Sequence, residues 1–495
     1  MSIITESRAM VIHILFGAIL FAGLFLRLVD LGFQSLWIDE GFSINAAQAI
    51  VAHGYPILNS GKIYTSSPLN TTIIAGAIKI FGLDPFNPWT ARLPSVAFGI
   101  GVIALVYFFT RHIFQNKYFA LVASALIAFS YWEIDWSRQA RGYIELQFFM
   151  LLALWQFWKW LENYQLKNLA VSAFAYAAAY ASQGIAVIFA PAFAAASLAH
   201  YTLNPHKKIN TRQFLIGASS AVLVVMAVIA PKFFDAELYN FSDSYVRFLF
   251  GDIRLITWAG IAGIVFGIFD KRNFWPAMFL AIFLLFPLII VMFYAPTTQL
   301  RYLFPLFPFM AMLALYAISR AADLAINTLR LPHWSYWSII IAVSLLIFRD
   351  QLVFRPQNFY QSEFDSPRPD FKTAYALIAR QKQAADIIVS PYAHLTTIYL
   401  GEKGVWLPIS LTGKQSEFRH TIVDSAFDYY VGAPIVENTK HLQSMIEQQN
   451  GYIILDGMAK TRIGAQALII ANHPKVTEIF YSGNARLNQI WVYKF

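Results

Sequence analysis

Two adjacent carboxylates, Asp39 and Glu40, follow the first long apolar run of the chain, in the stretch Leu36-Trp37-Ile38-Asp39-Glu40-Gly41-Phe42. A carboxylate at such a place can accept a proton, orient a hydroxyl or contribute to a divalent cation site for Mg or Mn. The mostly apolar sequence from Ile38 to His53, closed by Gly54, predicts a surface-lying helix with both acids near its first turn. Adjacent helical residues point roughly 100° apart, so the two groups cannot do the same job. Stabilisation by the positive helix end is the plain reading of such a pair. The functional reading takes Asp39 as the acid/base or acceptor-orienting group and Glu40 as its structural or electrostatic neighbour. With no third ligand in view, a metal bound by Asp39 and Glu40 has thin support.

A second group is cationic. Asp135-Trp136-Ser137-Arg138-Gln139-Ala140-Arg141-Gly142-Tyr143 would, if helical, place Asp135, Arg138 and Arg141 near one face, with Glu145 able to pair with Arg141. Self-satisfying ion pairs with snorkelling arginines are one reading. Phosphate recognition, to which the planar guanidinium is suited, is the other. Gln299-Leu300-Arg301-Tyr302 adds a further arginine, which alone would read as a snorkelling anchor. Taken together, Arg138, Arg141, Arg301 and Lys62 suit a phosphate leaving group opposite a hydroxyl acceptor, with Asp135, Tyr143 and Tyr302 as further pocket candidates.

The elements that must position these residues are membrane spans. Of the 495 residues, 58% are hydrophobic and only 13% are charged, against about 25% charged in a soluble domain. The formal net charge of +9 is scattered between apolar runs and does not form the patch that a nucleic-acid binder needs. There is no cysteine, which excludes disulfides and thiolate chemistry. Val11 to Leu26 lacks a cleavage pattern and reads as a retained first span. Stretches of about 20 apolar residues then recur near 9–30, 93–111, 118–134, 143–161, 168–182, 185–200, 212–231, 253–269, 274–294, 302–319 and 335–348, about eleven spans in all. Pro68 to Gly82 is shorter and carries Asn70 and Lys79, so it reads as an interfacial or re-entrant helix.

With that segment left out, the loops bearing Arg111 and Lys117; Lys159 and Lys167; Lys207, Lys208 and Arg212; Lys271 and Arg272; and Arg320 and Arg330 fall on one side. The positive-inside pattern places the N-terminus in the cytoplasm. The loop 32–92, the segment from Asp135 to Tyr143 and residues 351–495 then lie outside, at a bacterial cytoplasmic membrane.

Beyond Arg349 the composition becomes that of a soluble domain, after a linker with Pro356, Pro367 and Pro369. Helices are expected at Asp370–Gln383 and His441–Gln449. Strands are expected at Ala385–Ser390, Gly451–Asp456, Val476–Tyr481 and Asn488–Tyr493, an α/β alternation. With no phosphate loop, nucleophile elbow or histidine cluster, this domain is assigned acceptor docking or a structural role. The loop Phe233 to Gly251 reads as solvated, with a lid as the alternative.

The order of motifs resembles that of the bacterial membrane glycosyltransferases of the GT-C fold, the group with the protein O-mannosyltransferases and the aminoarabinose transferase of lipid A. Trp37-Ile38-Asp39-Glu40 matches their Trp-x-Asp-Glu motif. Ser67-Pro68-Leu69 stands near their Pro-Pro-Leu, with Ser67 in place of the first proline. Arg92-Leu93-Pro94-Ser95, Ser137 to Tyr143 and Arg301-Tyr302-Leu303-Phe304-Pro305 follow in order. The resemblance covers about the first 350 residues and implies a GT-C transmembrane catalytic domain at 1–350 that carries the outer loop 32–92; the α/β domain expected at 351–495 from composition lies beyond it. It implies inverting transfer from a polyprenyl-phosphate sugar to a hydroxyl of a lipid, glycan or protein. On this reading Asp39 acts on the acceptor and the arginines hold the donor phosphate. The competing readings are a lipid-linked glycan transporter, disfavoured by the absence of an internal repeat, and a glycan polymerase or ligase.

Overall fold

The computed structural model describes residues 2–203, 243–294, 299–332, 334–358, 360, 368–409, 423–424, 427–483 and 488–495. They form two compact units. One comprises residues 1–29, 95–138 and 142–356; the other comprises 30–94, 139–141 and 357–495. The loop 32–92, expected to go with the membrane part, thus belongs to the same unit as the C-terminal domain.

The first unit is helical, as its long apolar runs require. It contains α1 (Ser2–Leu28), most of α4 (Trp89–Phe114), α5 (Lys117–Phe129), α6 (Tyr131–Ser137), α7 (Tyr143–Asn163), α8 (Leu166–Ser182), α9 (Ala190–Leu203), the short α10 (Asp243–Arg247), α11 (Arg254–Phe269), α12 (Phe274–Tyr294), α13 (Phe307–Leu329) and α14 (Ser335–Ile347). Among the described residues five helical stretches are long and apolar enough to cross a membrane, or six if the bent pair Asp243–Asp252 and Arg254–Phe269 is one span. The protein is therefore a multi-pass membrane protein. The span expected at 212–231, most of the loop 233–251 and Pro367 lie outside the described residues.

One expected span is broken. Ser130 leaves the helical region at φ −67° and ψ 127°, so 118–134 is divided between α5 and α6. Elsewhere α11 meets α13 backbone to backbone, since a Cβ on Gly263 would lie 2.1 Å from the Leu313 carbonyl oxygen. Small residues allow such approach where lipid supplies no hydrophobic drive between helices.

The second unit joins α2 (Ile38–His53) and α3 (Pro68–Phe81) to the C-terminal domain. At 14 residues, α3 is about 21 Å long, short of the roughly 30 Å of hydrocarbon. The domain holds α15 (Phe371–Gln381), β1 (Ile387–Ser390), α16 (Ala393–Leu400), β2 (Val405–Trp406), the hairpin β3 (Val423–Asp424) and β4 (Phe427–Asp428), α17 (Thr439–Gln448), β5 (Gly451–Asp456), α18 (Gly457–Arg462), α19 (Ala465–Asn472), β6 (Thr477–Ser482) and β7 (Ile490–Lys494). Its five-stranded sheet runs β2-β1-β5-β7-β6. β1 is parallel to β2 and β5, while β7 is antiparallel to β5 and β6. Every residue of β5 is buried, as its unbroken apolar run predicts for a central strand. Val389, Leu442, Ile446, Ile453 and Leu455 form the core against it.

Candidate functional site

The helix α2 runs from Ile38 to His53 and is capped by Gly54, which takes φ 82° and returns its N–H to the Ile50 carbonyl. Its first turn separates the two acids as helix geometry requires. Glu40 points inward and is fully buried. Its Oε1 accepts from Arg92 Nε at 2.8 Å and from the Ala140 N–H at 2.8 Å, and its Oε2 accepts from Arg92 Nη2 and from the Trp37 N–H, both at 2.9 Å. Burial alone would raise this carboxyl, but Arg92 and the further donors outweigh it and hold Glu40 below the usual carboxylate range. Four donors occupy both oxygens, so Glu40 is a structural hub.

Arg92 is as deeply buried. Its remaining N–H groups donate to the carbonyls of Leu31, Gln34 and Ser35, at 2.9, 3.0 and 3.0 Å. One guanidinium thus gathers the whole approach to the Trp37–Asp39 turn, a role for which lysine lacks the donors. The turn is also held from the C-terminal domain by Arg368, which donates to Gln34 Oε1 at 2.6 Å, and by Tyr399, whose hydroxyl accepts the Leu36 N–H at 3.1 Å.

Asp39 is the partly exposed acid of the pair. Its side chain is 22% exposed and lies 3.7 Å from Arg141 Nη2. Arg141 Nη1 also donates to the Asp39 carbonyl at 3.2 Å and to Ser43 Oγ at 3.0 Å. A partly exposed carboxylate beside a fixed guanidinium can take a proton from a hydroxyl while an anion is neutralised next to it. Lys62 is exposed on the turn between the buried Leu58 and the exposed Ile63, and the Ser60 hydroxyl of that turn donates to the Tyr429 carbonyl. Beside the C-terminal half of α2 lies a cleft of ≈ 240 Å³ lined by Asn45, Gln48, His53, Asn59, Thr397 and Tyr430, among others, with no Asp, Glu, Lys or Arg in its wall.

The membrane unit carries the other expected residues. The run from Asp135 to Tyr143 is not one helix: α6 stops at Ser137, and α7 starts at Tyr143 after Gly142. The expected shared face of Asp135, Arg138 and Arg141 is therefore not formed. Arg138 is buried, and its Nη1 donates to the carbonyls of Leu26, Arg27 and Val29, at 3.3, 2.9 and 2.6 Å, around the C-terminus of α1. This is cation placement at a helix C-terminus. Asp135 is fully buried, and Tyr143 packs on Trp136 at 4.7 Å. The Arg301 guanidinium lies 6.0 Å from the Tyr143 ring centre, and Tyr302 follows it in a short helical turn.

Sequence reasoning missed several groups. Arg27, fully buried, donates to Ser137 Oγ and to the carbonyls of Gly23, Ala128 and Ile127. The buried Glu133 accepts from Gln147 Nε2 at 2.9 Å. Arg92 stood out only as part of a motif, and nothing local marked His394 or Tyr399. Among the described residues no group of three His, Cys, Asp or Glu could hold a metal. With Glu40 saturated by donors, the pair Asp39 and Glu40 does not fit a divalent cation.

Residues 65–233 match the model of the dolichyl-phosphate-mannose-protein mannosyltransferase family. Among curated proteins none matches by sequence. The fold is that of ArnT from Cupriavidus metallidurans in its apo state, with 14% identity, a TM-score of 0.60 and 98% of both chains covered. The oligosaccharyltransferase of Archaeoglobus fulgidus is similar over 91% of this chain and 70% of its own, with 13% identity and a TM-score of 0.60. Other solved structures show the same ArnT bound to undecaprenyl phosphate, and the archaeal enzyme AglB with an inhibitory peptide and a dolichol-phosphate.

Proposed function

We infer that this chain, a membrane glycosyltransferase of the GT-C fold, moves a sugar with inversion from a polyprenyl-phosphate donor to the hydroxyl of a lipid, glycan or protein acceptor. The observation that carries this reading is the division of labour in one helical turn. Glu40 is buried and held by four donors, whereas Asp39 is partly exposed beside Arg141. The structural relatives solved with undecaprenyl phosphate and dolichol-phosphate support a lipid-phosphate donor.

In the proposed step Asp39 takes the proton of the acceptor hydroxyl as its oxygen attacks the anomeric carbon. The bond from that carbon to the phosphate oxygen breaks, and the polyprenyl phosphate leaves with its electron pair. Arg141 supplies a fixed positive charge at the acid, and Arg301 in the membrane unit is assigned to donor affinity. The uncharged cleft along α2 suits an acceptor rich in hydroxyls. The extracytoplasmic side of a bacterial cytoplasmic membrane, with the N-terminus inside, is the location that the loop charges support.

The test is transfer by the purified full chain with a panel of radiolabelled polyprenyl-phosphate monosaccharides, following label into lipid, glycan or protein. Transfer from one donor, with loss of lipid-linked label, supports the reading. No transfer from any donor, together with glycan flux across vesicles carrying the protein, would favour transport.

A further inference from the structure

The carbonyl of Ile38 belongs to the peptide that leads into Asp39, and it accepts a hydrogen bond at 3.0 Å from Nε2 of His394, a residue 356 positions away. The imidazole is buried and lies on the backbone of α2: a Cβ on Gly41 would come within 2.7 Å of its Cδ2. Phe42 stacks on the ring with centres 3.9 Å apart, and Asn45 Nδ2 donates to the His394 carbonyl at 3.1 Å. The His394 side chain and backbone therefore grip both the start of α2 and its second turn.

We propose that His394 is a positioning residue for Asp39, which makes the C-terminal domain a working part of the catalytic turn and not a separate acceptor-docking module. The proposal rests on the assignment of Asp39 as the base. A carbonyl can only accept, so Nε2 carries the proton and Nδ1 does not. Burial pushes the imidazole down to about 4, although the Ile38 carbonyl and Asp39 pull it the other way. The ring is thus neutral at pH 7. A neutral donor fixes the peptide without placing a second positive charge beside Asp39, which would weaken it as a base. Among the described residues Asp39 from α2 acts on the ring as a charged group, and the hydroxyl-bearing rings of Tyr392 and Tyr430 are titratable neighbours with centres 6.3 and 6.2 Å away.

The experiment compares the full-length wild type with His394→Leu and His394→Gln in the same detergent. Gln can present an N–H at the reach of Nε2, whereas Leu cannot. With the donor that the wild type uses, His394→Leu is expected to lower kcat by about tenfold or more at unchanged donor KM, and His394→Gln to recover most of it. A His394→Leu kcat within twofold of wild type overturns the proposal. A second readout needs neither transfer nor a folded Leu variant. In ¹⁵N-histidine spectra, the resonance lost in His394→Gln is expected to show the Nε2–H tautomer from pH 5 upward, and Asp39→Asn to move its protonation to lower pH. An Nδ1–H tautomer or an imidazolium at pH 7 overturns the proposal. If no donor is turned over, the Asp39 reading fails by itself, and the spectra still decide the His394 contact.

Discussion

Glu40 and Arg92 face each other as a two-pronged ion pair with no access to water, closed at 2.8 and 2.9 Å. Removing one member of such a pair strands a buried charge, at a cost of about 3–5 kcal/mol. Arg92→Met should therefore lower the melting temperature sharply and abolish activity through loss of structure. Glu40→Leu combined with Arg92→Met should regain part of the stability, though not the caps on Trp37 and Ala140. Melts of the purified proteins check this, and an Arg92→Met melt equal to wild type would contradict the pair's structural role.

Gly41 is dictated by packing. A methyl group there would meet His394 Cδ2 and Leu395 Cδ2, each at 2.7 Å. Gly41→Ala should destabilise the protein by about 1–3 kcal/mol, as overpacking does, and slow turnover by displacing α2. Denaturant titration together with kcat measures both, and a neutral effect on stability would show that the α16 contact yields easily.

The acid limb of stability has a sign fixed by His394. Its folded pKa, about 4, lies below the ordinary value of 6.5, so the unfolded state binds more protons between these limits. Its contribution is complete above about pH 6.5 and is lost as the pH falls toward 4, on the order of 3 kcal/mol in all. Glu40, held below its ordinary value of 4.5, adds a loss as the pH falls below about 4.5. Asp456 acts in the opposite sense, because burial raises it to about 6 and its cost grows as the pH rises toward that value. The difference between wild type and His394→Gln cancels both. Wild-type stability should fall relative to His394→Gln between pH 6.5 and 4, and parallel curves would contradict the shift.

Two arginines with the same expected role should separate. Arg138 gives Nη1 to three backbone carbonyls at the end of α1, and hydrogen bonds from charged groups are worth about 1.5–3 kcal/mol. Arg138→Ala should therefore cost stability. Arg301→Ala should bind undecaprenyl phosphate about tenfold more weakly or worse, as titration into the purified protein would show. Unchanged binding in Arg301→Ala would remove it from the donor site.

Much of this arrangement is legible in the sequence where local physics decides. The bounds of α2, its Gly54 cap and the different directions of Asp39 and Glu40 follow from periodicity and a helical rotation of about 100° per residue. The two helices and four strands expected after Asp370 are found to within a few residues, because each is a short amphipathic or buried run, whereas α16, α18, α19 and the two-residue strands β2, β3 and β4 fall outside that expectation. The break at Ser137 was not legible, since spacing cannot tell that Arg138 will prefer the carbonyls of α1 to a helical face. Nor was the union of the loop 32–92 with the C-terminal domain. It depends on Arg368, His394 and Tyr399, which meet the Gln34–Ile38 stretch across more than 300 residues.

The central claim is that Asp39, and not Glu40, carries the chemistry, and Asp39→Asn tests it most directly. The substitution keeps size and polarity and removes the negative charge together with the basic oxygen. With a donor that the wild type uses, transfer should fall by about 10²–10⁴-fold, the scale of a lost general base, while the melting temperature stays at the wild-type value. Undiminished transfer by a well-folded Asp39→Asn protein would contradict the account.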